Sequence, residues 1–304
     1  MDAPFWPALD AACRAVHPRC PVWWADDDAA GTNPWRAGSV AERDVPALLA
    51  GWPAWFERRP EGVWAHLPAL TRAQHLDEVN RQLHAQGRIR AWREEPYPLL
   101  SEQGALLAVM ERASARFWGA LTFGAHCNGY VAGPDGRPSH LWVARRADDK
   151  PTDPGMLDNM IGCGVPHGQT PRQAVVREAW EEAGLRPEQL AGLCPGGVLN
   201  IACDIREGWQ HEWLYAFDLA MPGGLTPVNQ DGEVAEHRLW PLDEALQAAA
   251  SGRMTLDASL ATLDFALRHQ LLDAASAARL APRLAALRVP VAAAQRFDPA
   301  HQPV

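Results

Sequence analysis

The sequence predicts an α+β fold: a mixed sheet flanked by helices, with an α+β segment before it and a helical extension after it. Three observations carry this expectation. From about residue 118, short apolar stretches alternate with turn residues and with helical patterns. The chain has 304 residues, more than one core usually holds, so more than one domain is expected. From about residue 256 the sequence is rich in Ala and Leu, with cap residues at the starts of two helical patterns. The expected boundaries are 1–113 for an N-terminal α+β domain of undefined role, 114–250 for the central domain and 251–304 for the helical extension.

In the first third, tryptophan recurs at Trp6, Trp23, Trp24, Trp35, Trp52, Trp55, Trp64 and Trp92. Such rings either fill a core and its rim or stack on a flat heteroaromatic ligand, and the area each one buries favours the core. Asp26-Asp27-Asp28 followed by Gly31 reads as a solvated loop. Residues 71–86 read as a helix with Thr71 as cap and Gly87 as stop. Residues 89–97 read as a strand ended by Pro96 and Pro98, and 104–117 as a helix leading into the next domain.

The central elements follow. Residues 121–132 and 140–145 read as strands joined by the turn Gly133-Pro134-Asp135-Gly136. Residues 156–163 lead, as strand and loop, into a glycine-rich stretch. A helix then starts at the N-cap Thr170, with Pro171 at its first position, Gln173 completing a capping box and Gly184 as a left-handed stop. Its helical periodicity places Ala174, Arg177, Glu178, Glu181 and Glu182 on one side and Val175, Val176, Ala179, Trp180 and Ala183 on the other. The helix is expected to bury the second side and expose the first. Strands are expected at 198–205 and 209–219, about Glu207-Gly208, and at 236–240, followed by a helix from Asp243. The tail, capped at Thr255 or Asp257 and at Asp273, is expected to serve packing or a dimer surface.

The chemistry concentrates on the capped helix. Glu178, Glu181 and Glu182 stand at i, i+3 and i+4, a spacing at which like charges repel unless something cationic joins them. A cluster of hard oxygen ligands suits Mg²⁺ or Mn²⁺. The plainer alternative is a solvated acidic face with Arg177 as its salt-bridge partner. Gly162, Gly164 and Gly168 shift the balance, because glycines let backbone come close to a bound anion or metal. Together these features point to a metal-assisted hydrolase of a phosphorylated small molecule.

The run from Cys163 to Leu185, CGVPHGQTPRQAVVREAWEEAGL, resembles the Nudix box. Arg177, Glu178, Glu181, Glu182, Gly184 and Leu185 match with spacing intact. Cys163 stands where the first box glycine belongs, Gln169 where the first glutamate belongs, and Ala179 replaces a larger aliphatic residue. Upstream, KPTDPGMLDNMIGCGVPHGQT is similar to the Nudix subgroup related to the domain attached to eukaryotic thiamine pyrophosphokinases. FGAHCNGYV at 123–131 and DGEV at 231–234 are similar to it as well.

The resemblance implies an αβα sandwich and a diphosphohydrolase using Mg²⁺ (or Mn²⁺) held by Glu178, Glu181 and Glu182. It implies that Arg177 orients a box glutamate, and that the general base is Glu182 or Glu233 of the DGEV loop. Arg145, Arg146 and Lys150 are candidates for phosphate contact. Gly164, Asn159 and Asp158 are candidates for shaping the substrate pocket, and Trp209, His211 and Glu212 for its border. The implied substrate is thiamine diphosphate or its damaged oxo and oxy analogues, converted to the monophosphate. The alternatives are oxidised nucleoside di- or triphosphates or nucleotide sugars, and a non-catalytic binding module, to which the neutral Gln169 points.

Composition limits the partners. The net charge of -9 argues against general binding to nucleic acid or acidic membranes, and no run reaches the roughly 18 apolar residues of a membrane helix. The opening MDAPFWPALDAACRAV has no basic flank or long apolar segment, so a cytoplasmic protein is expected. Cys13, Cys20, Cys127, Cys163, Cys194 and Cys203 form no CxxC pair, which speaks against zinc and for reduced thiols. A small-molecule diphosphate and a possible second copy of the chain are the partners expected.

Overall fold

The structure, a computed structural model, describes residues 6–25 and 34–297; the loop expected at Asp26, Asp27 and Asp28 lies outside the described residues. The N-terminal third holds helix α1 (Pro7–Ala11), strands β1 (Arg19–Ala25) and β2 (Trp35–Ala41), helix α2 (Val45–Gly51), strands β3 (Phe56–Arg59) and β4 (Gly62–His66), and helix α3 (Arg72–Ala85). Strands β5 (Pro96–Leu100) and β6 (Leu106–Glu111) and helix α4 (Arg112–Trp118) complete it. The four strands β1–β4 form a sheet in the order β2-β1-β4-β3, with β1 and β4 parallel.

Sequence patterning did not register this sheet, because its strands are short and lack a regular apolar alternation. The tryptophans follow the core reading: Trp24 and Trp118 are fully buried, edge-to-face at 5.4 Å, and Phe56 stacks on Trp118 at 5.8 Å. Trp6 is an exception in position, since it is buried against the helices of the central layer.

Three local expectations are corrected. Residues 89–97 are not a strand: Ala91 (φ 61°) and Glu94 (φ 59°) are left-handed and interrupt any extended run. The strand is β5, displaced to Pro96–Leu100 and paired with β6 alone. A two-stranded ribbon has free edges, which is where prolines without an N–H are tolerated. Residues 104–117 split into β6 and α4, because Leu106–Glu111 pairs with β5 and the helix starts only where the Glu111 carboxylate accepts from Ala113 N at 3.2 Å. Helix α3 forms over the expected span, yet Thr71 makes no side-chain cap; its hydroxyl meets His75 Nδ1 at 3.4 Å instead.

The central layer is close to expectation. Strands β7 (Leu121–Ala132), β8 (Pro138–Arg146), β9 (Leu157–Asn159), β10 (Ile161–Gly164), β11 (Cys194–Ile205), β12 (Gly208–Ala220) and β13 (Val234–Pro241) form one mixed sheet. Its main path runs β11-β12-β7-β8-β13, with β10 on β7 and β9 on β8. β12 and β7 are parallel, and their neighbours on this path are antiparallel. Helix α5 (Pro171–Ala183) covers one face, and α6 (Leu242–Ala250) and α7 (Leu256–Arg268) cover the other. The helices α8 (Ala274–Ala285) and α9 (Val291–Arg296) follow.

Thr255 and Asp273 are the caps of α7 and α8, each accepting from the backbone three residues on. Helix α7 is enclosed on all sides, with Ala258–Ala266 buried throughout. It is anchored by charge as well. Arg268 reaches Asp218 of β12 at 2.5 Å and Asp264 of its own helix at 2.7 Å.

Candidate active site

The site starts from how α5 sits on β10. The capping box closes as its residues dictate: Thr170 Oγ1 accepts from Gln173 N at 3.2 Å and Gln173 Oε1 accepts from Thr170 N at 2.8 Å. The helix does not divide into one buried and one exposed side. Ala174 is fully buried, whereas Trp180 is 52% exposed. The stripe at i, i+4 and i+8, Ala174, Glu178 and Glu182, turns inward, because α5 leans that edge onto β10. Glu182 is therefore buried, and its Oε2 accepts from Gly162 N at 2.9 Å.

Two carboxylates at one buried edge disturb each other. Burial, then the charge of Glu178, pushes Glu182 well above the usual carboxylate range. Burial likewise raises Glu178 to about 7, with Arg177 opposing and Glu181 adding to the shift. Arg177 bridges the helix surface, with Nη2 on Glu178 at 2.7 Å and Nη1 on Glu181 at 2.6 Å. Its Nε donates to the Gln169 amide oxygen at 3.5 Å.

These residues form one part of a polar pocket. Gly162, Cys163 and Gly164 of β10 continue its wall beside Glu178 and Glu182. Arg146, Lys150 and Glu233 supply another part, and Arg90, Arg93, Arg112 and Arg116 of the N-terminal third a third part. His126, Asp158, Glu212, Thr255 and Asp257 close it. Gly164 stands opposite Gly124 in the β7–β10 pair, and the bare backbone there gives charged side chains room. A Cβ on Gly124 would lie 2.6 Å from Glu212 Oε1, and one on Gly164 would lie 1.9 Å from the Tyr97 hydroxyl and 2.9 Å from the Arg112 guanidinium carbon. Burial, then Glu212, pushes Asp257 up to about 7.

Among the described residues, no group of three His, Cys, Asp or Glu side chains is arranged to hold a metal ion. Glu178 and Glu182 nevertheless fit a hard divalent cation as a pair. They are oxygen donors one helical turn apart; burial is the main cause that raises both, and the Glu178 charge adds to the rise of Glu182, a repulsion a cation there would relieve.

Residues 125–258 match the NUDIX domain family. This stretch of the chain is thus similar to Nudix domains. The chain is 32% identical to Nudix hydrolase 24, chloroplastic, of Arabidopsis thaliana over 203 residues, covering 66% of this chain and 55% of that protein. It is 33% identical to Nudix hydrolase 20, chloroplastic, of the same plant over 201 residues, covering 65% and 53%. The chain thus spans just over half the length of these relatives. The crystal structure of DR0079 from Deinococcus radiodurans aligns with 56% of this chain and 99% of its own, at 19% identity and a TM-score of 0.44.

Within the matched stretch, the residues singled out from sequence separate into two groups. Glu178, Glu182, Gly164, Arg146, Lys150, Asp158, Glu212 and Glu233 line the pocket. Lys150 Nζ and Glu233 Oε2 are ion-paired; burial works against the Glu233 charge, but Lys150 prevails and brings its carboxyl below the usual value. Glu181, Arg177, Arg145, Asn159, Trp209 and His211 are not on the wall. Arg145 is engaged with Asp148 at 2.7 Å and Glu236 at 3.6 Å. Asn159 is buried behind the wall, bonded to His126 at 2.9 Å, Asn128 at 3.0 Å and Thr262 at 3.1 Å. Cys163 is a buried thiol whose pKa is raised well above the ordinary value by burial and by Glu178 and Glu182, which makes it a poor nucleophile.

The pocket residues missed from sequence are Arg90, Arg93, Arg112, Arg116, His126 and Asp257 as a wall residue. Arg112 and Arg116, spaced i and i+4, share a face of α4, a pattern already contained in the helix expected over 104–117 but not read as part of a site. Among the described residues lining the pocket there is no Phe, Tyr or Trp. No helix among the described residues is long and apolar enough to cross a membrane.

Proposed function

We propose that the Nudix domain hydrolyses the diphosphate of a small organic substrate with the help of Mg²⁺ or Mn²⁺. The observation that carries this reading is the pair of carboxylates one helical turn apart, buried Glu182 and half-buried Glu178, on the wall of a pocket that also carries five arginines and Lys150 among further carboxylates. Glu178 and Glu182 would hold the cation, with the remaining positions left to waters and phosphate oxygens. A cation there would supply charge neutralisation at phosphorus and a more acidic bound water.

The chain's own residues do the rest. Gly162 N holds Glu182 in place, and Arg177 keeps Glu178 oriented while occupying Glu181. Arg146 and Lys150 lie where phosphate oxygens need cations. Glu233 stays ionised beside Lys150 and is our assignment for the group that takes a proton from the attacking water. Oxygen of that water bonds to phosphorus as the anhydride P–O bond breaks, releasing a monophosphate and a phosphate.

Thiamine diphosphate and its oxo and oxy analogues are the substrates we propose first. The PGMLDN segment at 154–159, which carries the subgroup resemblance, supports this choice by contributing Asp158 to the pocket wall, where it pairs with Arg146 at 2.9 Å. The test is product analysis with Mg²⁺ on thiamine diphosphate, those analogues, 8-oxo-dGDP, 8-oxo-dGTP and ADP-ribose. Monophosphate from the thiamine-type substrates alone supports the proposal. Preference for a nucleotide keeps the hydrolase and removes the thiamine assignment, and complete inactivity with Mg²⁺ and Mn²⁺ removes the hydrolase.

A further inference from the structure

Four arginines of the N-terminal third reach the wall of the Nudix pocket, and three of them have cationic nitrogens left over. Arg112 is satisfied by Glu95 at 2.8 Å. Arg116 has one long contact to Glu212 at 3.6 Å, and its Nη1 is buried without a hydrogen-bond partner. Arg90 donates from Nε to the Gly87 carbonyl at 3.3 Å and makes no ion pair among the described residues. The backbone N–H of Arg93 donates to Glu111 at 2.9 Å, and its side chain makes no hydrogen bond or ion pair among the described residues. Arg90 is exposed at the rim, whereas Arg93 and Arg116 are half-buried; half-buried guanidinium nitrogens without hydrogen-bond partners cost stability, so fold stability does not account for the placement of Arg93 and Arg116.

Their positions are built rather than incidental. The Glu111 carboxylate accepts from Arg93 N and Glu95 N, both at 2.9 Å, and from Ala113 N at 3.2 Å. One side chain therefore pins the Arg90–Arg93 loop to the start of the helix bearing Arg112 and Arg116. The loop also holds Ala91 and Glu94 in left-handed backbone conformations, a cost retained where the surroundings impose it. Beneath it, Tyr97 is almost wholly buried with an unpartnered hydroxyl, beside Arg112 and Gly164.

We infer that Arg90, Arg93 and Arg116 form an anion anchor through which the N-terminal third completes the substrate site, gripping phosphate oxygens that Glu178 and Glu182 do not reach through a metal. The anchor rests on the hydrolase reading for its ligand class, a di- or polyphosphate. Guanidinium forks suit such oxygens because they pair bidentately. With no Phe, Tyr or Trp among the described residues of the wall, recognition rests mainly on charge.

The test is calorimetric titration of the full chain with inorganic pyrophosphate in the absence of metal, with folding checked by circular dichroism. Arg93→Gln and Arg116→Gln should each weaken binding about tenfold or more, while Arg81→Gln, on the exposed face of α3, should match the parent. If Arg93→Gln does not fold, Arg93→Lys, which keeps the charge and loses the fork, should weaken binding several-fold. Undetectable binding to the parent, or equal binding by the arginine variants, overturns the anchor. Turnover separates it from the hydrolase reading. Arginine-dependent pyrophosphate binding with no diphosphate turned over keeps the anchor and removes the hydrolase; turnover lost in Glu182→Gln with arginine-independent binding does the reverse.

Discussion

Gly162 donates its backbone N–H to the Glu182 carboxylate at 2.9 Å, and this bond fixes the acidic edge of α5 to β10. The bond needs an oxygen acceptor, not a charge. Glu182→Gln keeps that oxygen and removes one of two mutually repelling carboxylates. Without metal at pH 8, the variant is expected to melt no lower than the parent. Calorimetry checks this, and a clear drop in melting temperature would mean that the charge itself is structural.

Gly164 has no room for a side chain, because its Cβ would meet the Tyr97 hydroxyl and the Arg112 guanidinium. Gly164→Ala is expected to destabilise the fold by about 1–3 kcal/mol through overpacking. The Tyr97 hydroxyl has no hydrogen-bond partner, so Tyr97→Phe should be mild alone and should recover part of the loss in the double variant. Denaturant unfolding of the four proteins measures the coupling, and strict additivity would count against the contact.

Asp257 gives a pH dependence with a definite sign. Its folded pKa, about 7, lies above the ordinary 3.8. Between those values the folded protein holds this proton more tightly than the unfolded chain, so the contribution of Asp257 to stability falls as pH rises through the window. Asn at 257 mimics the protonated form, and its oxygen still accepts from Gln210, as Asp257 Oδ1 does at 3.1 Å. Asp257→Asn should therefore gain stability relative to the parent between pH 5 and pH 8. A difference in melting temperature that stays constant with pH would refute the assignment.

On the far face, Arg268 neutralises Asp218 and Asp264, both buried. Asp218 also meets His269 at 3.0 Å and Asp264 also pairs with Arg288, so each keeps a partner when Arg268 is removed. Arg268→Ala is expected to cost about 3 kcal/mol, as breaking a buried pair does, without changing the pocket. Urea unfolding tests the size, and a loss within error of zero would mean that the remaining partners suffice.

Legibility in the sequence followed the range of the interactions. The α5 helix could be read because its cap, capping box and stop lie within its own span, and the hairpin of β7 and β8 because its turn is local. The inward tilt that buries Glu182 was not legible, since it depends on Gly162, twenty residues away. The wall arginines of the N-terminal third were hidden for the same reason: nothing near Arg93 in sequence shows that Glu111, eighteen residues on, holds its loop to the start of α4. The displaced strand β5 turned on left-handed Ala91 and Glu94, conformations their residue types do not announce.

The central claim is that Glu178 and Glu182 together hold a divalent cation. Electron paramagnetic resonance titration with Mn²⁺, in the presence of inorganic pyrophosphate, tests it without relying on turnover. The parent should bind Mn²⁺ and show a changed spectrum, and Glu182→Gln and Glu178→Gln should each weaken binding by at least about tenfold, while Glu181→Gln changes it less. Equal Mn²⁺ affinity in the parent and in the Glu178 and Glu182 variants would contradict the account.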